Sequence, residues 1–132
     1  MEVTALSDSQ LERYARHIIL REIGGAGQSK LLRSHVAVIG AGGIGSPAIE
    51  YLAAAGIGRL TIIDDDHVDL SNLQRQTLFA TADQGEAKVE VAAREVARRN
   101  PDCAVTPVLR RIDAANAREL LDGADVVLDG CD

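Results

Sequence analysis

The run His35-Val36-Ala37-Val38-Ile39 passes directly into Gly40-Ala41-Gly42-Gly43-Ile44-Gly45-Ser46-Pro47. A short apolar stretch feeding a glycine turn that opens a helix reads as a nucleotide-phosphate site at a strand-to-helix junction. Residues without Cβ let the backbone turn sharply and let a phosphate approach. The unpaired N–H groups and positive dipole end of the helix then face the anion. The spacing of Gly40, Gly42 and Gly45 is by itself a weak signal, and a ligand-free turn has the same form. Asp64 strengthens it. It follows a second apolar run, Leu60-Thr61-Ile62-Ile63, about twenty residues beyond the glycines, where a ribose-binding carboxylate is expected.

At 132 residues the chain is one domain or part of one. Phe79, Tyr14 and Tyr51 are its only aromatic residues. The core must therefore come from Val, Ile, Leu and Ala, which suits helices packed on a parallel sheet. A net charge of −6 disfavours non-specific nucleic-acid binding. No apolar run approaches the ~20 residues needed to span a bilayer, and the first twenty residues mix charges among apolar positions. Cys103 and Cys131 are far apart, so no disulfide framework or zinc pair is indicated and a cytoplasmic setting is expected.

Ser7 or Asp8 can cap a first helix. Leu11, Tyr14, Ala15, Ile18 and Ile19 fall on one helical stripe. Gly24-Gly25-Ala26-Gly27 is expected to break the pattern before a short helix through Lys30-Leu31-Leu32. Strands are predicted near 35–39, 59–63, 104–109 and 125–129, with Pro107 arguing for an edge position of the third. Helices are predicted near 43–55, with Tyr51, Leu52 and Ala55 toward the sheet, near 86–99 and near 113–122. Val89, Ala92, Ala93, Val96 and Ala97 make the apolar face of the 86–99 helix. The segment 64–84 reads as irregular and polar.

The alternation implies an α/β fold: a Rossmann-like parallel sheet with helices on both faces and strand order 3-2-1-4. Residues 1–34 form an N-terminal helical segment and 35–132 a nucleotide-binding α/β unit. The crevice opens between strands 1 and 4, where the connections diverge. Asp129 and Asp132 leave the fourth strand there. The sheet as written looks incomplete, with one side left for a further segment or partner to cover.

Several motifs occur in one order: Arg13-Tyr14-x-Arg16-x-Ile18-Ile19-Leu20, the glycine turn, the aspartates Asp64 to Asp66, Ser71-Asn72-Leu73-Gln74-Arg75-Gln76, Gly85-x-x-Lys88, Asn100-Pro101 and Asp129-x-x-Asp132. Together they resemble the ThiF/MoeB family, the sulfur-carrier adenylyltransferases of molybdopterin and thiamine biosynthesis, related to ubiquitin-activating enzymes. The resemblance implies ATP-dependent adenylation of the C-terminal glycine carboxylate of a small ubiquitin-like sulfur-carrier protein, with ATP and Mg²⁺ as cofactors. It implies that Gly40, Gly42, Gly43 and Gly45 approach the nucleotide through backbone, with Asp64 on the ribose and Asp66 nearby. By the same resemblance Asn72, Arg75 and Lys88 hold the triphosphate, Asp132 helps bind Mg²⁺, and Arg16 reaches into the neighbouring subunit of a homodimer. Family members continue beyond the position of Asp132 into a second half, so these 132 residues are expected not to complete carrier activation alone.

Charge chemistry agrees with that implication. A carboxylate attacking an α-phosphate brings two anions together, so fixed cations such as Arg75, Lys88 and Arg16 must neutralise the triphosphate and the departing pyrophosphate. Solvated surface charge is the bland alternative for each, and Arg16 can pair with Glu12 on its own helix. A NAD-binding oxidoreductase fragment and a catalytically incomplete nucleotide-binding or dimerisation module remain open alternatives. His17, His35, His67, Cys103 and Cys131 read as structural or bystander residues.

Overall fold

The structure, a computed structural model, describes residues 5–131. Residues 1–4 of the N-terminal segment, and Asp132, lie outside the described residues. Three helices come first: α1 (Asp8–Arg13), α2 (Ala15–Ile18) and α3 (Gly24–Leu32). The α/β unit then runs β1 (His35–Ile39), α4 (Gly45–Ala55), β2 (Arg59–Ile63), α5 (Lys88–Arg99), β3 (Ala104–Val108), α6 (Ala117–Leu120) and β4 (Val126–Asp129). Two short 3₁₀ turns, Leu70–Asn72 and Thr81–Asp83, punctuate the segment between β2 and α5.

The four strands form one parallel sheet of order β3-β2-β1-β4. Pro107 sits on the edge strand β3, where its missing N–H breaks no ladder. One face of the sheet, through Val36, Val38, Leu60, Ile62 and Leu128, packs into the main core with Ile49 and Ala53 of α4 and Val89, Ala92 and Val96 of α5. The opposite face carries His35, Thr61, Thr106 and Val108, and the segment Glu119–Gly123 closes a groove over them. The cover is incomplete at the β4 edge, where Val126 and Val127 stay exposed.

Several local expectations give way to packing. Ser7 does cap α1: its Oγ accepts from the Gln10 N–H (3.2 Å), and Gln10 Oε1 accepts from the Ser7 N–H (2.9 Å). The expected single stripe then breaks at Tyr14, which separates α1 from α2. Tyr14 is buried, whereas Leu11 and Ile19 are exposed. The phenol donates to Asp102 Oδ2 (2.9 Å) and accepts from Asn100 Nδ2 (2.8 Å). A buried tyrosine needs a partner for its hydroxyl, and these polar groups lie in the turn after α5.

The glycines 24–27 do not break a helix; α3 starts at Gly24. Tertiary contacts override the poor helix propensity: Gln28 is fully buried, donates Nε2 to Ala55 O (2.9 Å) and pairs Oε1 with His17 Nδ1 (2.9 Å). Tyr51, expected on the sheet side of α4, is 78% exposed, because Ile49 and Ala53, one turn apart, set the phase of that helix. On α5, Ala97 is exposed and Val91 is buried instead. The helix predicted near 113–122 shrinks to α6, after a turn in which Asp113 Oδ1 accepts from the Ala115 and Asn116 N–H groups.

Asn100 ties three parts of the molecule together. Its Nδ2 also donates to Ala53 O (2.8 Å), and its Oδ1 accepts from the Asp102 N–H (3.0 Å). Asn100→Ala leaves buried polar groups unpaired and should cost about 2 kcal/mol in urea denaturation; a loss under about 0.5 kcal/mol, the range of surface substitutions, would refute the joint. Burial pushes the Cys103 thiol up to about 11, so little thiolate exists near pH 8. Alkylation followed by mass spectrometry should therefore label exposed Cys131 well before Cys103, and equal rates would contradict the burial.

Candidate functional site

The carboxyl ends of β1, β2, β3 and β4 open onto one cleft of about 760 Å³, within the range of small-molecule sites. Its base is the glycine turn. Gly40 has φ 91°, a left-handed conformation that side chains resist. A Cβ on Gly45 would overlap the carbonyl of Gly40, and one on Gly40 would lie 3.0 Å from the Gly130 oxygen. The Gly40 N–H donates to Ile63 O (2.8 Å), and the Gly130 N–H donates to Ile39 O (2.8 Å). The turn is thus wedged between the ends of β2 and β4, and α4 starts at Gly45 with no side chain capping it. Within its first turn the Ser46 N–H already donates to Gly42 O (2.9 Å), the Ala48 N–H donates to Ile44 O (3.4 Å) and Pro47 has no N–H. An anion in the cleft would therefore meet the backbone of the preceding glycine turn, Gly42 to Ile44, at the positive end of the helix.

Asp64 lines the cleft. Its Oδ2 accepts from the Ala41 N–H (2.8 Å) and its Oδ1 from the Asp66 N–H (2.7 Å). The carboxylate clasps the glycine turn, while each oxygen keeps lone-pair capacity toward the cleft. Carboxylate oxygens of Asp64, Asp65 and Asp66 can be chosen within 4.8 Å of one another.

The long segment after β2 folds back to deliver two cations. The His67–Ala87 bridge and the bonds Val68 N–H to Glu86 O (2.8 Å) and Lys88 N–H to Asp66 O (3.0 Å) lay the start of α5 against the Asp66 strand end. The Lys88 side chain is only 5% exposed, and its Nζ lies 3.8 Å from Asp66 Oδ2. Asp66 therefore faces Lys88 and compensates a buried charge. Asp69 organises the same loop: Ser71 donates to it through Oγ (2.6 Å) and N–H (2.8 Å), which holds its carboxyl below the usual range.

Arg75 lies across the turn, its methylenes 3.6–3.7 Å from the position of a Cβ on Gly43. Its guanidinium donates to Asn72 Oδ1 (3.4 Å) and Gln74 Oε1 (3.2 Å). Asn72 is not among the residues that line the cleft; it orients Arg75. The loop is pinned to α4 by the buried Ser46, whose Oγ accepts from the Leu78 N–H (2.9 Å).

Of the residues singled out from sequence, Gly40, Gly42, Gly43, Asp64, Asp66, Arg75 and Lys88 line the cleft, and Gly45 stands beneath it. Arg16, exposed on α2, does not. Asp132 is outside the described residues. Sequence reasoning missed Gln76, Arg110, Arg111, Ile112 and Gly130. The adjacent arginines follow directly on β3, at the carboxyl edge where such sheets bind ligands, and that placement was the available signal. Arg75, Lys88, Arg110 and Arg111 line the same cleft as the three aspartates, Arg110 with Glu119 3.6 Å from its guanidinium, so cations gather here although the chain is acidic overall.

The ThiF family profile matches residues 14–132. Over 128 residues the chain is 52% identical to the SAMP-activating enzyme E1 of Haloferax volcanii, covering 97% of this chain and 47% of that protein. Over 127 residues it is 48% identical to the molybdopterin-synthase adenylyltransferase of Escherichia coli, covering 96% of this chain and 51% of that protein. The crystal structure of E. coli tRNA N6-threonylcarbamoyladenosine dehydratase in complex with ATP superposes with a TM-score of 0.90 at 34% identity, covering 98% of this chain and 53% of that one. The chain spans about half the length of these relatives. A profile match that extends from Tyr14 to the last residue takes in the glycine turn, the cation-bearing loop and all four strands, and the chain belongs to the ThiF family.

Proposed function

We propose that this chain is the ATP-binding part of an adenylyltransferase that activates the C-terminal glycine carboxylate of a small ubiquitin-like sulfur-carrier protein. The observation that carries the reading is the convergence of Arg75 and Lys88 on the glycine-lined start of α4 in one cleft. A polyphosphate is the kind of ligand that two convergent cations and a glycine turn at the positive end of a helix can hold. Hydride transfer to a dinucleotide has no use for that pair. Membership of a family whose relatives are named as adenylyltransferases and as a SAMP-activating enzyme supports the same reaction.

In the proposed step a carboxylate oxygen of the carrier attacks the α-phosphorus. The new P–O bond forms as the bond to the β-phosphate oxygen breaks, and pyrophosphate departs. The glycine carboxyl is already ionised near neutral pH, so no general base is required. The work of the site is to hold three phosphoryl groups in line and to neutralise charge that builds on the leaving group. Arg75, oriented by Asn72, and the buried Lys88, steadied by Asp66, supply that charge. Asp64, Gly40, Gly42, Gly43 and Gly45 define the nucleotide's bed, with Asp64 on the ribose. Mg²⁺ would supply further charge neutralisation on the phosphates, with Asp132 as the residue that the resemblance assigns to it. Residues 35–132 carry this bed, and residues 1–34 present Arg16 to a partner copy; exposed Ile19, at 72%, and exposed Leu20 on the same segment suit a covered surface.

Lys88→Ala should lower carrier-dependent ATP–pyrophosphate exchange by about a hundredfold or more in the complete protein; exchange within a few-fold of wild type would remove Lys88 from the site. Arg16 in trans has a sharper signature. Arg16→Ala and Lys88→Ala homodimers are each expected to be impaired, yet mixing them should restore exchange, because one site of each mixed dimer then has both groups intact. If mixing restores nothing although mixed dimers form, Arg16 does not act across subunits.

A further inference from the structure

Among the described residues that line the cleft, Gln76 alone has a buried side-chain polar atom without a partner. The residue is 4% exposed, and it lines the cleft. The carboxamide nitrogen lies 3.6 Å from the position of a Cβ on Gly42, directly over the glycine turn. Its Oε1 is fully buried with no hydrogen-bond partner among the described residues. The other buried carboxamides behave differently: Gln28 and Asn100 use both ends of theirs. Leaving an amide oxygen unpaired is unfavourable, and an unbranched apolar side chain of the same length would fit without that cost. Native proteins keep such local costs mainly at functional sites.

The orientation is informative. With the oxygen turned inward, the NH₂ group is the end that lies beside Gly42. The opposite orientation would present an acceptor to an anion. The backbone on both sides of the amide is held: the Gln76 N–H donates to Asn72 O (2.9 Å), the Phe79 N–H donates to Gln76 O (3.2 Å), and Ser46 pins Leu78. The amide therefore has little freedom to leave the turn. Arg75 and Lys88 contribute full charges at the cleft wall, whereas Gln76 contributes a neutral, fixed donor at its floor.

We propose that Gln76 positions the nucleotide by donating Nε2–H to a phosphoryl oxygen seated above Gly42. The proposal rests on the ATP-binding reading above and adds to it a residue that discriminates anion geometry without adding charge. Hydrogen bonding between a neutral amide and a phosphate oxygen also survives at ionic strengths that screen exposed arginines.

Gln76→Met and Gln76→Glu, tested in the full chain by calorimetric titration with Mg-ATP, Mg-ADP and AMP and by thermal unfolding, separate the outcomes. Gln76→Met should weaken ATP binding about tenfold while its unfolding midpoint holds or rises, because the unpaired oxygen is gone. Gln76→Glu should weaken ATP further still, since a carboxylate then faces the phosphates. A purely structural glutamine would instead lower the midpoint in Gln76→Met. If both variants bind ATP as wild type does, or if affinity falls only in step with the midpoint, the role of Gln76 is overturned and the ATP reading stands. If wild type binds none of the three nucleotides, the ATP reading itself falls and takes this assignment with it. Equal losses for ATP, ADP and AMP place the contact on the α-phosphate and support the proposal; a loss for ATP and ADP alone places it farther along the chain and supports it equally.

Discussion

Everything at the carboxyl edge of the sheet hangs on the mutual contact of Gly40, Gly45 and Gly130. The three backbones approach so closely that a Cβ on Gly45 has no room, and one on Gly40 or Gly130 presses on a carbonyl oxygen. This contact brings β1 and β4 to a common end and sets the glycine turn, at the start of α4, along the cleft. Asp64 completes the clasp from β2 by accepting from the Ala41 N–H. The same carboxylate that a nucleotide site would offer to a ribose is thus also a piece of the scaffold. Rigid support of this kind is what a phosphate site needs, since backbone donors are useful only when held in place before the ligand arrives.

A second constraint is the placement of positive charge in an acidic chain. Lys88 is buried, and an isolated ammonium in that position would be heavily penalised. The loop from Asp64 to Ala87 resolves this by forming a short antiparallel contact with itself at His67 and Ala87, which sets Asp66 opposite the ammonium. The separation of 3.8 Å is loose for an ion pair. Lys88 is therefore oriented by Asp66 yet retains capacity for another anion. Arg75 is steadied in a similar way by neutral acceptors, Asn72 and Gln74, which fix its direction without cancelling its charge.

The N-terminal helices are fastened at the opposite end of the molecule. Tyr14, Asn100 and Asp102 form one hydrogen-bonded cluster, and Gln28 reaches Ala55 at the end of α4. Burial raises the Tyr14 hydroxyl above its ordinary pKa, which keeps it a neutral donor to Asp102 across the physiological range. The cluster joins the segment that bears Arg16 to the helices beneath the cleft.

Strand positions and the glycine turn were legible from residue pattern, because each depends on neighbours in the chain: an unbroken apolar run from Val36 to Ile39, a glycine where φ must be positive, a carboxylate after the next strand. Strand order was legible because alternating strands and helices with right-handed crossovers leave few arrangements. The break at Tyr14, the helix through Gly24 to Gly27 and the outward phase of Tyr51 were not legible. Tyr14 answers to Asn100 and Asp102, and the helix through residues 24–27 to the contact of Gln28 with Ala55, partners of which local propensity carries no record. The phase of α4 is set by which of its apolar residues, Ile49 and Ala53, the core takes up. The same division holds at the cleft. Order along the chain marked Asp64, Arg75 and Lys88 as candidates. Only folding brought Arg110 and Arg111 to the same wall, turned Asn72 toward Arg75 and pressed the amide of Gln76 onto Gly42, because convergence in space comes from how strands pair and loops return, which spacing along a chain does not encode.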